Sequence, residues 1–161
     1  MRAGAQRQGG KRQLQRILPE ELSAIKAVYG NPADANHLFS KDEMNNKIDL
    51  HHLRALRAQQ MYRYYLDKIE NTPGYREQLI TEIRHTWEHD DDTRKENGYR
   101  AKRWSDMKVT GNYILRGNNR KLAKMHGLPM KYDRLALLAV SIFHLSHWRH
   151  DVTVANYLLA V

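Results

Sequence analysis

Apolar residues are spread unevenly along the chain, and where they gather they do so at helical spacing. The densest run is Leu135 to Leu145, within which Leu135-Ala136-Leu137-Leu138-Ala139-Val140 is apolar on every side. A helix without a polar face belongs inside a core, so this segment is expected to be central and buried, with Asp133 as its cap. Tyr75, Leu79, Ile83 and Trp87 recur every four residues and predict an amphipathic helix. Thr72-Pro73 ahead of it reads as an N-cap followed by proline at the first helical position, and Asp90-Asp91-Asp92 reads as its end. A long helix is predicted from Asp49, its N-cap, to about Ile69, with Leu50, Leu53, Met61 and Tyr65 on its apolar side.

Between these segments the signals are shorter. Pro19 suits a first helical turn, Glu20 and Glu21 suit the positive helix end, and Gly30 suits the stop. Asn31 to Lys47 is polar and reads as a connecting loop. Met1 to Leu18 holds five basic residues and no acidic one around Gly9-Gly10, which fits a disordered basic arm or one β-hairpin turning at the glycines. Residues 93 to 117 read mostly as loop, with Val109 to Leu115 able to form a short strand. Asn118 or Asn119 is placed to cap a short helix ending at Gly127, and Pro129 interrupts the chain again. Ser146 to His150 reads as a turn, and Asp151 as the cap of a last helix that carries Tyr157. The sum is a mainly α chain with at most a small N-terminal β-hairpin, its 161 residues forming one domain.

Charge narrows the partners. Lys and Arg number 27 against 18 Asp and Glu, a net charge of +9, which favours a polyanion, most simply nucleic acid. The chain contains no cysteine, which excludes disulfides and thiolate metal sites. The longest apolar run is too short to cross a bilayer, and no apolar signal core follows the basic N-terminus, so neither a membrane nor secretion is expected.

The candidate chemistry lies near the two ends. His51 and Arg54 are three apart at the start of the long helix, so they share a face in a turn whose free N–H groups and positive dipole end suit a phosphate. Near the C-terminus stand Leu145-Ser146-His147 and then Asp151-Val152-Thr153 before Tyr157. Histidine, arginine and tyrosine together suit phosphoryl transfer through a covalent tyrosine. His51-His52-Leu53-Arg54, with Ala58 beyond it, resembles the His-x-x-Arg box of the tyrosine recombinases, the phage integrase family. Leu145-Ser146-His147 resembles that family's Leu-Gly-His box with serine in place of glycine, and the segment ending on Tyr157 resembles the one that delivers the nucleophile. Gly9-Gly10-Lys11-Arg12 resembles the end of its lysine-bearing hairpin, with Gln8 at the usual lysine position.

The resemblance implies a helical catalytic domain of the DNA breaking–rejoining type. Tyr157 would be the nucleophile and Arg54 a phosphate clamp. His51 and His147 would hold the phosphate or move protons, and Lys11 is a candidate acid. It implies no metal and no cofactor. The implied partners are double-stranded DNA and further recombinase protomers, in the cytoplasm of a bacterium or encoded by a phage or plasmid. Arg7, Arg12, Lys102, Arg103 and Arg149 are expected at the DNA. The family's first arginine, in a Gly-x-Arg-x-x-Glu type box, has no counterpart here, so a fragment with weak activity on its own is expected. The interval between Arg54 and His147 is longer than usual, implying an insertion over about 67–130, which the resemblance does not cover.

Two other readings compete. A non-catalytic basic helical DNA-binding module would use the same charge without needing Tyr157 or His147. His85-Thr86-Trp87-Glu88-His89 also fits the H-x-x-E-H pattern of zinc peptidases, its two histidines sharing a helix face, although Trp87 belongs to the buried stripe.

Overall fold

The computed structural model describes residues 2–5, 13–29, 49–89 and 103–160. Its first element is an antiparallel hairpin of β1 (Arg2–Ala5) and β2 (Gln13–Arg16), with Arg2 opposite Arg16 and Ala5 opposite Gln13. Of the two readings of the basic N-terminal segment, the strands bear out the hairpin. The glycine turn lies outside the described residues, as do the expected loop 31–47, the Gly30 stop, the helix end at Asp90 to Asp92 and the run 93–102.

A 3₁₀ turn (Pro19–Glu21) leads into α1 (Leu22–Tyr29). The Glu21 carboxylate accepts Leu18 N at 3.0 Å and Arg57 Nη2 at 2.7 Å, and the Arg57 hydrogen bond holds its carboxyl below the usual range. The long helix α2 (Leu50–Asn71) starts as expected, with Asp49 accepting His52 N at 2.9 Å. Its apolar side differs from the expectation at one end. Met61 and Tyr65 are buried, but Leu50 and Leu53 are 45% and 51% exposed. The inward stripe is Ala55, Ala58, Met61, Tyr62, Tyr65 and Ile69. A helix of this length spans about 33 Å, so its first turn overhangs the core and its leucines meet solvent.

Thr72 was expected to cap the next helix, and it does not. It closes α2, donating to Lys68 O at 3.0 Å, and its own carbonyl accepts Tyr75 N at 3.1 Å. Pro73 and Gly74 form the middle of this turn, Gly74 at φ 75°, which is the type II arrangement that only glycine adopts without strain. The next helix, α3 (Tyr75–His89), therefore starts after Gly74, and it buries Leu79, Ile83 and Trp87 as the four-residue spacing predicts.

After a 3₁₀ turn (Trp104–Asp106) comes β3 (Asn112–Ile114), inside the expected Val109 to Leu115. The short helix α4 (Gly117–Met125) begins with Arg116 as N-cap, slightly earlier than the asparagines suggest. It ends in a Schellman turn: Leu128 N donates to Ala123 O at 2.8 Å and Gly127 N to Lys124 O at 3.4 Å, with Gly127 at φ 64°. Then β4 (Lys131–Asp133) pairs antiparallel with β3, Tyr113 opposite Tyr132. This second ribbon was not expected. Three-residue strands show no periodicity, and their pairing is decided by what lies beside them.

Asp133 caps α5 (Arg134–Val140) as expected, accepting Leu135 N at 2.9 Å and Ala136 N at 3.1 Å. Every side chain from Leu135 to Val140 is fully buried. Burial of one such side chain is worth about 1.5–3 kcal/mol, so this run dominates the core. It packs against α2, α3 and the last helix, α6 (His150–Thr153). Asp151 does not cap α6. Arg149 holds the N-cap position, and the Asp151 carboxylate turns to its guanidinium at 2.6 and 3.2 Å. Both α5 and α6 end in a wider π turn, Ser141–Leu145 and Val154–Leu158, and β2 packs on the first of these. The protein is mainly α-helical, as the apolar spacing predicts, and among the described residues no helix is long and apolar enough to cross a membrane.

Candidate active site around Tyr157

The overhanging start of α2 meets the C-terminal segment. The Tyr157 ring lies 5.3 Å from the His51 ring, tilted by 44°, and 5.2 Å from the His147 ring, stacked at 28°. Arg54 Cζ is 6.0 Å from the centre of the Tyr157 ring, and Arg54 Nη2 donates to Leu145 O at 3.1 Å. Four residues, in two pairs about a hundred positions apart in the sequence, therefore converge. His52 is exposed, and its backbone N–H serves the Asp49 cap.

The backbone explains how His147 reaches this place. Ser146 ends the π turn in the left-handed region, φ 59° and ψ 23°, and Trp148 also has φ 59°. Trp148 is buried edge-on against Trp87, their ring centres 5.4 Å apart, which pins the turn to the core. Left-handed geometry costs an L residue about 1–2 kcal/mol. Two such residues flanking one histidine are strain held by the surrounding packing, a pattern that clusters at functional sites. Ser146 occupies the position where the resembling box has glycine. Ser146→Val is therefore expected to lower stability by about 2–3 kcal/mol, because a β-branched side chain is strained further at positive φ. Ser146→Gly is expected to stay within about 1 kcal/mol of the wild type. Denaturant unfolding of both variants measures the difference.

The C-terminal side is positioned by a residue that the sequence did not flag. Gln59 Nε2 donates to Tyr157 O at 3.1 Å and to Ala160 O at 3.0 Å. The last carbonyls of a helix have no partner of their own, so this amide ties the turn bearing Tyr157 to the helix bearing His51 and Arg54. Glutamine in mid-helix carries no sequence signal of such a role.

His147 is electrostatically unusual. Both ring nitrogens are buried and have no hydrogen-bond partner among the described residues. Burial, reinforced by the charges of Arg54 and Arg149, lowers its pKa to about 4, so the ring is neutral near pH 7. A second histidine, His144, is buried within hydrogen-bonding distance of Tyr65 Oη at 3.0 Å, and desolvation lowers its pKa to about 3. In the unfolded chain both return to the ordinary value of 6.5. The unfolded state then binds more protons at acid pH, so stability is fully present above about pH 6.5 and is lost as pH falls towards the folded values. The melting temperature is expected to drop steadily from about pH 7 to about pH 4.5, and His147→Phe to flatten that dependence. An equal slope in the variant would show that His147 does not titrate on unfolding.

The other expected site residues are placed as follows. Arg149 lies near His147, its guanidinium held by Asp151, and that bond keeps the Asp151 carboxyl below its usual range. Arg103 is 85% exposed, with Asp106 at 3.5 Å. Lys11, Arg7, Arg12 and Lys102 lie outside the described residues. On α3 the His85 and His89 rings stack with centres 4.3 Å apart, and His89 Nδ1 is 2.8 Å from His85 O. Glu88 pairs with Arg84. No group of three potential metal-ligating side chains occurs among the described residues.

Chemically, the cluster combines a phenol, a guanidinium and two imidazoles at a helix start. That set can bind a phosphate dianion or diester, move a proton and present one oxygen nucleophile. No protein-family model, curated protein or solved structure matches this chain.

Proposed function

We propose that this chain breaks and rejoins DNA through a covalent 3′-phosphotyrosine at Tyr157, as a catalytic domain of the tyrosine recombinase type in site-specific recombination or integration. The observation that carries the reading is the convergence of His51, Arg54 and His147 on the Tyr157 ring. Their roles follow from their chemistry. The Tyr157 oxygen attacks phosphorus, the bond to the 5′ oxygen breaks, and the phenolic proton passes to a base while the leaving oxygen gains one. Arg54 offers its planar fork to the non-bridging oxygens. A neutral His147 can give or take a hydrogen bond there, which would satisfy nitrogens that now have no described partner. Rejoining is the same step reversed, with the free hydroxyl as nucleophile. Tyr157 is only 8% exposed, so the rings must part to admit DNA. Arg54 supplies one guanidinium, the resemblance calls for a second, and strand exchange by this chain alone is expected to be weak.

The test is covalent capture. Duplexes that lose a short fragment on cleavage trap the intermediate, and a denaturant-resistant protein–DNA species is expected. Protease digestion should map the linkage to the peptide holding Tyr157. Linkage at any other residue, or no adduct on any duplex, sinks the proposal.

A second reading is a non-catalytic DNA-binding module. It is favoured by the burial of Tyr157, which is also what a core tyrosine shows. It differs in expecting DNA affinity without an adduct.

A further inference from the structure

Six of the described arginines have an anionic partner. Arg16, Arg57, Arg76, Arg84, Arg103 and Arg149 pair with Glu82, Glu21, Asp133, Glu88, Asp106 and Asp151 respectively. One region is different. From residue 107 to residue 132 there is no Asp or Glu, while Lys108, Arg116, Arg120, Lys121, Lys124 and Lys131 all occur there. All six are exposed, and among the described residues none has an ion-pair partner. Arg116 caps α4, Arg120, Lys121 and Lys124 lie on it, Lys131 begins β4, and Lys108 precedes β3. Arg116, Arg120 and Lys124 recur every four residues, so they follow one line along the helix. Asn119 and Leu122 are half-buried and Ala123 is fully buried, so the helix packs on the side that flanks this line.

The β3–β4 ribbon ties this unit to the candidate site. Tyr113 of β3 stacks on His150 with ring centres 6.4 Å apart, and Arg134 Cζ lies 5.7 Å from the Tyr113 ring. His150 belongs to the segment that follows His147. The ribbon that flanks α4 is therefore in contact with the segment that follows His147.

We infer that the exposed cations of α4 and its flanking strands form a second DNA surface, which binds the phosphate backbone of duplex flanking the bond that Tyr157 attacks. This rests on the DNA partner of the proposed function, not on its covalent step. Six like charges with no ion-pair partner among the described residues repel one another, and they fit a partner that brings its own regularly spaced anions. Lysines and arginines on a line supply contacts that hold register without reading sequence. The same surface gives the segment 67–130, which the family resemblance leaves uncovered, a use in binding.

The test replaces Arg120, Lys121 and Lys124 together with glutamine in the full chain, keeping helix propensity. Duplex affinity is measured over about 50–200 mM salt. The slope of log affinity against log salt is expected to shrink by about 2–3 units, near 0.9 per lost phosphate contact. Arg63→Gln, an exposed cation on α2, is expected to leave the slope unchanged. A triple variant with the wild-type slope overturns the inference. So does a loss seen on phosphatidylserine vesicles but not on duplex, which would make this a membrane-facing surface. Adduct formation, scored separately, keeps the two proposals apart. A reduced slope without any adduct supports this surface and removes the covalent step; an unchanged slope with an adduct does the reverse.

Discussion

In Tyr157→Phe, the covalent protein–DNA species is expected to vanish, a fall of at least the order of 10⁴-fold set by detection. The change removes one oxygen and keeps the ring, so the contacts with His51 and His147 persist. Stability is expected to change by no more than about 1 kcal/mol. Affinity for duplex DNA is expected to be unaltered. This combination separates the two readings of the protein. A nucleophile loses the adduct and keeps the complex. A core tyrosine in a DNA-binding module shows no adduct before or after substitution. An adduct that survives in the phenylalanine protein would assign the chemistry to another residue.

Arg54→Ala is expected to have the second largest effect, and through two routes. Loss of a preorganised donor to the reacting phosphate costs on the order of 10²–10³-fold in adduct rate. Loss of the hydrogen bond to Leu145 O leaves a carbonyl at the end of the π turn without that donor, costing about 1–3 kcal/mol of stability. Arg54→Lys separates the routes. It keeps the charge but not the fork, so much of the fold stability should return while the rate at saturating DNA stays low. If lysine restores the rate fully, bidentate recognition plays no part. If alanine alters only stability, Arg54 is a structural residue that braces the turn.

Strain and burial around His147 bear on both results. Its neighbours Ser146 and Trp148 hold left-handed backbone, and both of its nitrogens lack a described partner. Each feature costs stability in the isolated protein, and each is compensated only if the surrounding packing or a ligand supplies the return. A phosphate between Arg54 and His147 would add hydrogen bonds at that point.

Much of the helical framework was legible in the chain. Asp49 and Asp133 cap helices because a short carboxylate can reach the free N–H groups next to it, and that geometry is local. Leu135 to Val140 had to be central, since a helix without a polar face has no other stable place. The four-residue stripe of α3 was equally plain. The residues of the candidate site could also be named, because their types and their order suggested one chemistry.

Tertiary structure decided everything that depends on a neighbour. Leu50 and Leu53 are apolar at helical spacing, yet they are exposed, because the first turn of α2 meets the C-terminal segment through His51 and Arg54 and not through its leucines. Asp151 could have capped α6, but the adjacent Arg149 offered a charge, which a carboxylate binds more strongly than an amide. β4 exists because β3 runs beside it. Gln59 acquires its role only when the C-terminal carbonyls arrive at α2. The meeting of His51 and Arg54 with His147 and Tyr157 belongs to the same class. Sequence determines which groups a local segment presents; packing over long separations determines which of them touch, since that choice depends on the whole core and not on any one stretch.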